Sequence, residues 1–426
     1  MHGKYQTVMP RWGWPFVLFT GLLTALIVAP QSSGDDWSSL WIGGILAKGG
    51  QWTEVYSIHP TDFSATGSAL WEQLRAAETT ASVAHPFVHN PGVALVMAAV
   101  TSVTTFTISL FVLTFISGAC VPLMVALSYY FWAEKTIELK ILVPATLLVW
   151  ASEGMRVALH LGQTSPVIFT VCFAAFALAR TRPIVSAGLL AAAAFVKLTP
   201  LLVIVGFLLA RSYRRAGLYA ALASGGVFAL SVLALPRANA EWFNALGEYG
   251  SKQLVSTINS ALGSLVHAPV RGNAVVGAVD PFPGYRLLAA AVVAFVLGAF
   301  ILTCNRIGRV PEKQLVVLSL LGPMLVANIL WIHYSVALVL PLIGIVMTGF
   351  AAGERRLTIF AVVGGFILLM PYQFRFDEIY NPTTVALYLL WLSTVTVVAC
   401  STKMASLTTI LEEKSPGASR SRRVTV

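Results

Sequence analysis

The chain has 426 residues, 57% hydrophobic and 11% charged, with a formal net charge of +10. A mean hydropathy of +0.78 excludes a soluble globule. The positive charge falls in short clusters between apolar runs (Arg211, Arg214 and Arg215; Arg306, Arg309 and Lys313; Arg355 and Arg356; Arg420, Arg422 and Arg423), which excludes the continuous basic face with stacking aromatics that nucleic acid requires.

A membrane-crossing helix needs about 20 mostly apolar residues, and tiling the chain on that basis gives roughly a dozen spans. Backbone polar groups in lipid must be satisfied internally, so the predicted fold is all-α, a polytopic membrane helix bundle. The basic clusters mark the cytoplasmic side by the positive-inside rule. Cys120, Cys172, Cys304 and Cys400 lie far apart in apolar runs and read as small core residues, not as a disulfide framework or a zinc site.

Lys4 and Arg11 precede the first apolar run, residues 14–30, read as an uncleaved helix with a cytoplasmic N-terminus. Asp35 and Asp36 then open an outer loop over residues 31–90. Carboxylates at a bilayer edge are solvated, paired or functional. Here they are either a helix cap or a base held at the membrane surface, and one side chain can do both. Trp37, Leu40, Trp41 and Ile45 recur at helical spacing up to Gly49 and Gly50, and Phe63, Leu70, Trp71 and Leu74 form a second amphipathic stretch. Tryptophan-rich amphipathic helices suit the interfacial plane, so two helices are predicted flat on the outer surface. The run His85-Pro86-Phe87-Val88-His89-Asn90-Pro91 returns the chain to the bilayer.

Spans are predicted near 91–105, 106–131, 139–151, 166–179, 184–196, 198–210 and 218–235. A second outer loop covers 236–285. Further spans follow near 287–303, 315–332, 336–350, 357–370 and 384–399, and the tail after Thr402 is read as polar, basic and disordered. Parity does not close between residues 91 and 161, which predicts a broken or re-entrant segment there, tolerated where it lines a protein cavity.

Polar islands interrupt this pattern. His160-Leu161-Gly162-Gln163-Thr164-Ser165-Pro166 is a connector or a cap over a cavity mouth. Lys197, without an acidic neighbour in sequence, must snorkel, pair or bind an anion. Asn259 and Arg271 lie in the second outer loop. Trp331-Ile332-His333-Tyr334 is an interfacial anchor whose histidine can donate to a phosphate. Asp36, His89, Gln163, Lys197, Arg271 and His333 can all lie at the outer face. One carboxylate facing several cations and amides is the composition of a site that deprotonates an alcohol while holding a phosphate. A transporter or flippase for an anionic lipid is the rival class; it would favour internal repeats and a midplane cluster, and the sequence has neither.

The order of these motifs (an Asp with an aromatic, a helix ending in Gly-Gly, Phe-x-x-Asn-Pro, Gly-Gln-x-Ser, Lys-x-x-Pro, a loop Asn-Ser, Trp-x-His) resembles the family 87 glycosyltransferases over residues 15–341. These are integral membrane enzymes of the C-type fold, and their best-known members are mannosyltransferases that use polyprenol-phosphate-mannose. The resemblance implies Asp36 as general base and Lys197, Arg271 and His333 as donor-phosphate ligands. It implies Asp35, His89, Asn90, Gln163, Asn259, Trp331 and Tyr334 as substrate contacts. It further implies inverting transfer of a hexose, mannose foremost, from a polyprenyl-phosphate donor to a lipid or glycan hydroxyl at the outer face of the plasma (inner) membrane, without cofactor or metal. Residues 1–403 would form one catalytic domain among membrane lipids, and 404–426 a cytoplasmic basic tail. The chain departs from the family where Ser260 and Ala261 follow Asn259, at His89, where tyrosine or proline is common, and at Tyr334, where a second histidine is common.

Overall fold

A computed structural model describes residues 8–83, 85–267, 276–372 and 381–413. The protein is all-α; among the described residues the one sheet is a hairpin pairing Gln253–Val255 antiparallel with Gly277–Val279. Among the described residues, six helices are long and apolar enough to cross a membrane: Gly13–Gln31, Phe106–Ala133, Arg214–Ala234, Tyr285–Ile307, Ile332–Ala352 and Pro382–Cys400. A bent pair, Leu139–Ala151 with Glu153–Leu161, brings the number to seven if counted as one span. This is a multi-pass membrane protein. The remaining apolar helices, such as Ser165–Leu178 and Pro183–Val196, are shorter.

The 28-residue helix Phe106–Ala133 is the axis of the bundle. At a rise of 1.5 Å per residue it is about 42 Å long, enough to reach from one face to the other. Thr105 caps its start by accepting from the Ile108 amide. The basic loops gather at its far end: Arg180 and Lys313 both reach Glu134, and the Ser212 amide donates to Glu312. Gly34 packs at its near end.

Two breaks shape that near end. The pair Leu139–Ala151 and Glu153–Leu161 bends by 63°, in the stretch where parity predicted a broken segment. The second break was not expected. The span predicted near 315–332 is helical only over Glu312–Leu321, then passes through a 3-10 turn, Pro323–Val326, into irregular backbone. Pro323 lacks the N–H that would continue the ladder. The freed groups find partners in the second loop. Asn259 Nδ2 donates to the carbonyls of Leu254 at 2.6 Å and Asn328 at 3.1 Å, and its Oδ1 accepts from the amides of Leu330 at 2.8 Å and Ala261 at 3.1 Å. The amides of Ser260 and Ile332 donate to Leu330 and Ile258. Irregular backbone inside a membrane protein persists only when satisfied in this way.

Two further expectations are corrected. The helix Asp35–Lys48 does not lie flat on the surface, since eleven of its 14 residues are buried. Gly44 explains how: a Cβ there would sit 2.7 Å from the Met97 carbonyl carbon, so glycine lets the helix Pro91–Val103 pack directly against it. The second surface helix, Ala69–Glu78, fits its prediction better, burying only Trp71. Finally, residues after Thr402 do not immediately become a loose tail. Thr402–Ala405 and Leu407–Glu413 are short helices that bury Met404 and Leu407.

Candidate active site

Gly34 and Gly162 bring two elements to one point. Both adopt left-handed backbone, φ 64° and 68°, where glycine is the favoured residue. Gly162 ends the helix Glu153–Leu161, and a Cβ on it would meet Trp37 Cβ at 2.9 Å. The Gly34 amide donates to the His160 carbonyl at 3.2 Å. Gln163 thereby emerges beside the start of the helix that carries Asp36.

That helix begins at Asp35, with Gly34 as its cap residue, so neither aspartate is the predicted N-cap. The two carboxylates part company. Asp35 Oδ1 accepts from the Ser82 amide at 2.7 Å, the Ser82 hydroxyl at 3.1 Å and the Val83 amide at 3.3 Å. It ties down the loop ahead of His85. Ser39, one turn along, donates to the Pro86 carbonyl at 3.1 Å and holds the same loop behind His85. Between these ties, His85 Nε2 stands 4.0 Å from Asp36 Oδ1. Asp36 itself faces a cavity of about 240 Å³.

Lys197 closes the opposite wall. It sits in the break between Pro183–Val196 and Pro200–Leu209. Its ammonium donates to Ser165 Oγ at 2.9 Å and Gln163 Oε1 at 3.4 Å, and lies 4.7 Å from the centroid of the Tyr334 ring. Gln163 also lies near enough to Asp36 to lower its carboxyl, so it stands between the two charges. Burial raises the Asp36 carboxyl above the ordinary carboxylate range, against the pull of His85, Gln163 and Lys197. Burial likewise lowers Lys197 to about 8, with Asp36 pulling it back up. His89, whose Nδ1 meets the Val196 carbonyl at 2.6 Å, is lowered to about 4 by burial and is neutral at pH 7.

Of the predicted site residues, Asp36, His89, Asn90, Gln163, Lys197, Trp331 and Tyr334 line this one cavity. Asn90 also caps the helix Pro91–Val103 through the Gly92 amide. Asp35 and Asn259 are not in the wall: both are buried and hydrogen-bonded to backbone, and both act on the site by holding the segments that form it. His333 is not in the wall either. It is buried behind Tyr334, ring centroids 4.8 Å apart, with both ring nitrogens unpartnered. Arg271 lies outside the described residues. Sequence reasoning passed over Trp242 and Tyr249, which line the cavity from the helix Pro236–Ser251. The spacing Trp242, Leu246, Tyr249 after Pro236 was the available signal. Among the described residues, no group of three or more His, Cys, Asp or Glu side chains is placed to hold a metal ion.

The cavity thus combines apolar walls with a few convergent polar groups and shifted ionisations, the usual make-up of a small-molecule site. A model of glycosyltransferase family 87 matches residues 87–327, more than half of the chain. The chain belongs to glycosyltransferase family 87. It is therefore a membrane glycosyltransferase, an enzyme that moves a sugar from a donor to an acceptor. The matched region carries His89, Gln163, Lys197 and Asn259, while Asp36, Trp331 and Tyr334 fall outside it. No curated protein and no solved structure matches the glycosyltransferase.

Proposed function

We propose that this glycosyltransferase moves a hexose, mannose foremost, from a polyprenyl-phosphate donor to a hydroxyl of a lipid or glycan, with inversion. The observation that carries the reading is one carboxylate, Asp36, facing one lysine, Lys197, across a cavity both of them line. Asp36 takes the proton of the acceptor hydroxyl. The acceptor oxygen attacks the anomeric carbon from the side opposite the phosphate. The bond from that carbon to the phosphate oxygen breaks, and its electron pair leaves with the phosphate. Lys197 neutralises the growing charge, helped by Ser165 and Gln163, which fix its ammonium. His85, 4.0 Å from Asp36 Oδ1, lies beside the carboxylate without a direct hydrogen bond to it. His333 sets the Tyr334 ring from behind.

In this reading the cavity opens on the outer face of the plasma (inner) membrane, because the basic loops gather at the far end of the axis helix. The helix Pro91–Val103 does not cross. Its start is tied to the cavity wall through Asn90 and Phe195, and the next helix begins against Trp41 with Phe106. With the short helices counted as crossings and that one left out, twelve crossings return both ends of residues 1–403 to the cytoplasm. The test is purified protein incubated with a lipid extract and radiolabelled polyprenyl-phosphate mannose, polyprenyl-phosphate glucose or nucleotide sugars. Labelled glycolipid should form from polyprenyl-phosphate mannose. Product from nucleotide sugars alone would overturn the donor assignment.

A further inference from the structure

The far end of the axis helix carries a second polar cavity, independent of the transfer site. Its volume is about 330 Å³, and Tyr130, Glu134, Arg180, Thr181, Tyr213 and Lys313 line it. Arg180 at 2.7 Å and Lys313 at 2.9 Å both meet the same atom, Oε1 of Glu134. Two cations therefore share one carboxylate oxygen, and the cavity keeps a surplus of positive charge. Arg180 uses one N–H on Glu134, and a guanidinium carries five. Glu134 is held in left-handed backbone, φ 55°, as no other non-glycine residue among the described ones is. Lys313 is anchored from behind by the Trp132 carbonyl at 3.2 Å and Thr408 at 3.3 Å. An ion-pair staple between loops needs neither the second cation nor the open volume.

The surroundings select the ligand. The cavity lies at the end of a membrane-crossing helix, where headgroups lie. Beyond Arg182 the next helix turns Ile184 and Val185, 73% and 48% exposed, outward into what would be lipid. We propose that this cavity binds the headgroup of an anionic phospholipid, its phosphate held by the N–H groups of Arg180 that Glu134 does not use, with the Thr181 hydroxyl beside them and the Lys313 charge close by, its acyl chains lying against Ile184 and Val185. Basic pockets between membrane helices recognise anionic headgroups in this way.

The test is titration of the delipidated, detergent-solubilised protein with phosphatidylglycerol, phosphatidylcholine or inorganic phosphate, reading the thermal unfolding midpoint. At about 0.5 M salt the Debye length is about 4 Å, which removes diffuse surface attraction. Phosphatidylglycerol should raise the midpoint, and phosphatidylcholine should not. Arg180→Gln should weaken the apparent affinity for phosphatidylglycerol by about tenfold or more, as loss of a charge-assisted contact does. Arg215→Gln, an exposed arginine outside the cavity, should leave it unchanged. Glu134→Gln, which removes the competing carboxylate, should bind at least as tightly as wild type. Should Arg180→Gln not fold, Arg180→Lys, which keeps the charge and loses the fork, should weaken binding in the same direction. Equal lipid responses in wild type and the Arg180 variants would overturn the proposal, as would loss of binding in Glu134→Gln. An inorganic phosphate response as large as that to phosphatidylglycerol would assign the cavity to a free anion and overturn the lipid.

Discussion

The acidic wall and the cationic wall of the transfer cavity are built on opposite principles. Asp36 stands on an unbroken, buried helix, and that helix holds its own surroundings: Asp35 and Ser39 pin the loop that brings His85 to Asp36. Lys197 stands where one helix stops, and Trp331 stands at the end of an unwound segment, just before the 3-10 helix Ile332–Leu338. Their position depends on distant partners, Ser165 and Gln163 for Lys197, Asn259 for the unwound segment leading to Trp331. The proposed base is thus fixed by one rigid element, while the proposed phosphate side is assembled from several. Damage to the first should read as lost chemistry, and damage to the second as lost binding and lost stability.

The largest effect is expected at the rigid wall. Asp36→Asn is nearly isosteric but cannot accept a proton, and turnover should fall by about 10²–10⁴-fold, measured as initial rate in the radiolabel assay. On the assembled wall, Lys197→Met should lower kcat/KM by about 10–100-fold, the loss of one charge-assisted contact. The same lysine sets a pH limb. In the proposed role it acts while protonated, so activity should decline as pH rises through about 8. Asp36 acts while ionised, and its raised ionisation should place the acid limb above the ordinary carboxylate range. A rate profile across pH should therefore be bell-shaped, and the alkaline limb should vanish in Lys197→Met.

Asn259→Ala removes four hydrogen bonds and leaves buried backbone groups without partners. A loss of about 2–4 kcal/mol of stability is expected, read as a lowered unfolding midpoint. Asp35→Asn should have the smallest effect, about 1 kcal/mol, because the amide oxygen can still accept from Ser82. Its activity should drop less than about tenfold, measured at saturating donor. An Asp35→Asn enzyme as inactive as Asp36→Asn would erase the distinction between the two aspartates.

The sequence made the polar residues of both walls more legible than the backbone that holds them. Asp36, Gln163 and Lys197 were readable because a polar residue between apolar runs must have a reason to be there. Charge parity pointed to an irregular segment somewhere between residues 91 and 161 without saying which helix it was; the bend at 151–153 lies in that stretch. Burial of the helix Asp35–Lys48 was not: a tryptophan stripe at helical spacing suits an interface and a protein core equally, and only Gly44 against Met97 decides between them. Asn259 was read as a substrate contact from the family resemblance; its structural partners include Asn328 and Leu330, about 70 positions away, which the sequence does not reveal. The unwinding after Leu321 was signalled by Gly322 and Pro323, and the apolar run around them hid it.

The central claim is that one side chain does the chemistry while the facing one holds the donor. The most direct test measures donor retention and turnover on the same samples of wild type, Asp36→Asn and Lys197→Met, with radiolabelled polyprenyl-phosphate mannose. The account predicts that Asp36→Asn retains donor as wild type does and fails to transfer it, while Lys197→Met retains less. Near-wild-type transfer by Asp36→Asn, or donor retention lost in Asp36→Asn and kept in Lys197→Met, would contradict it.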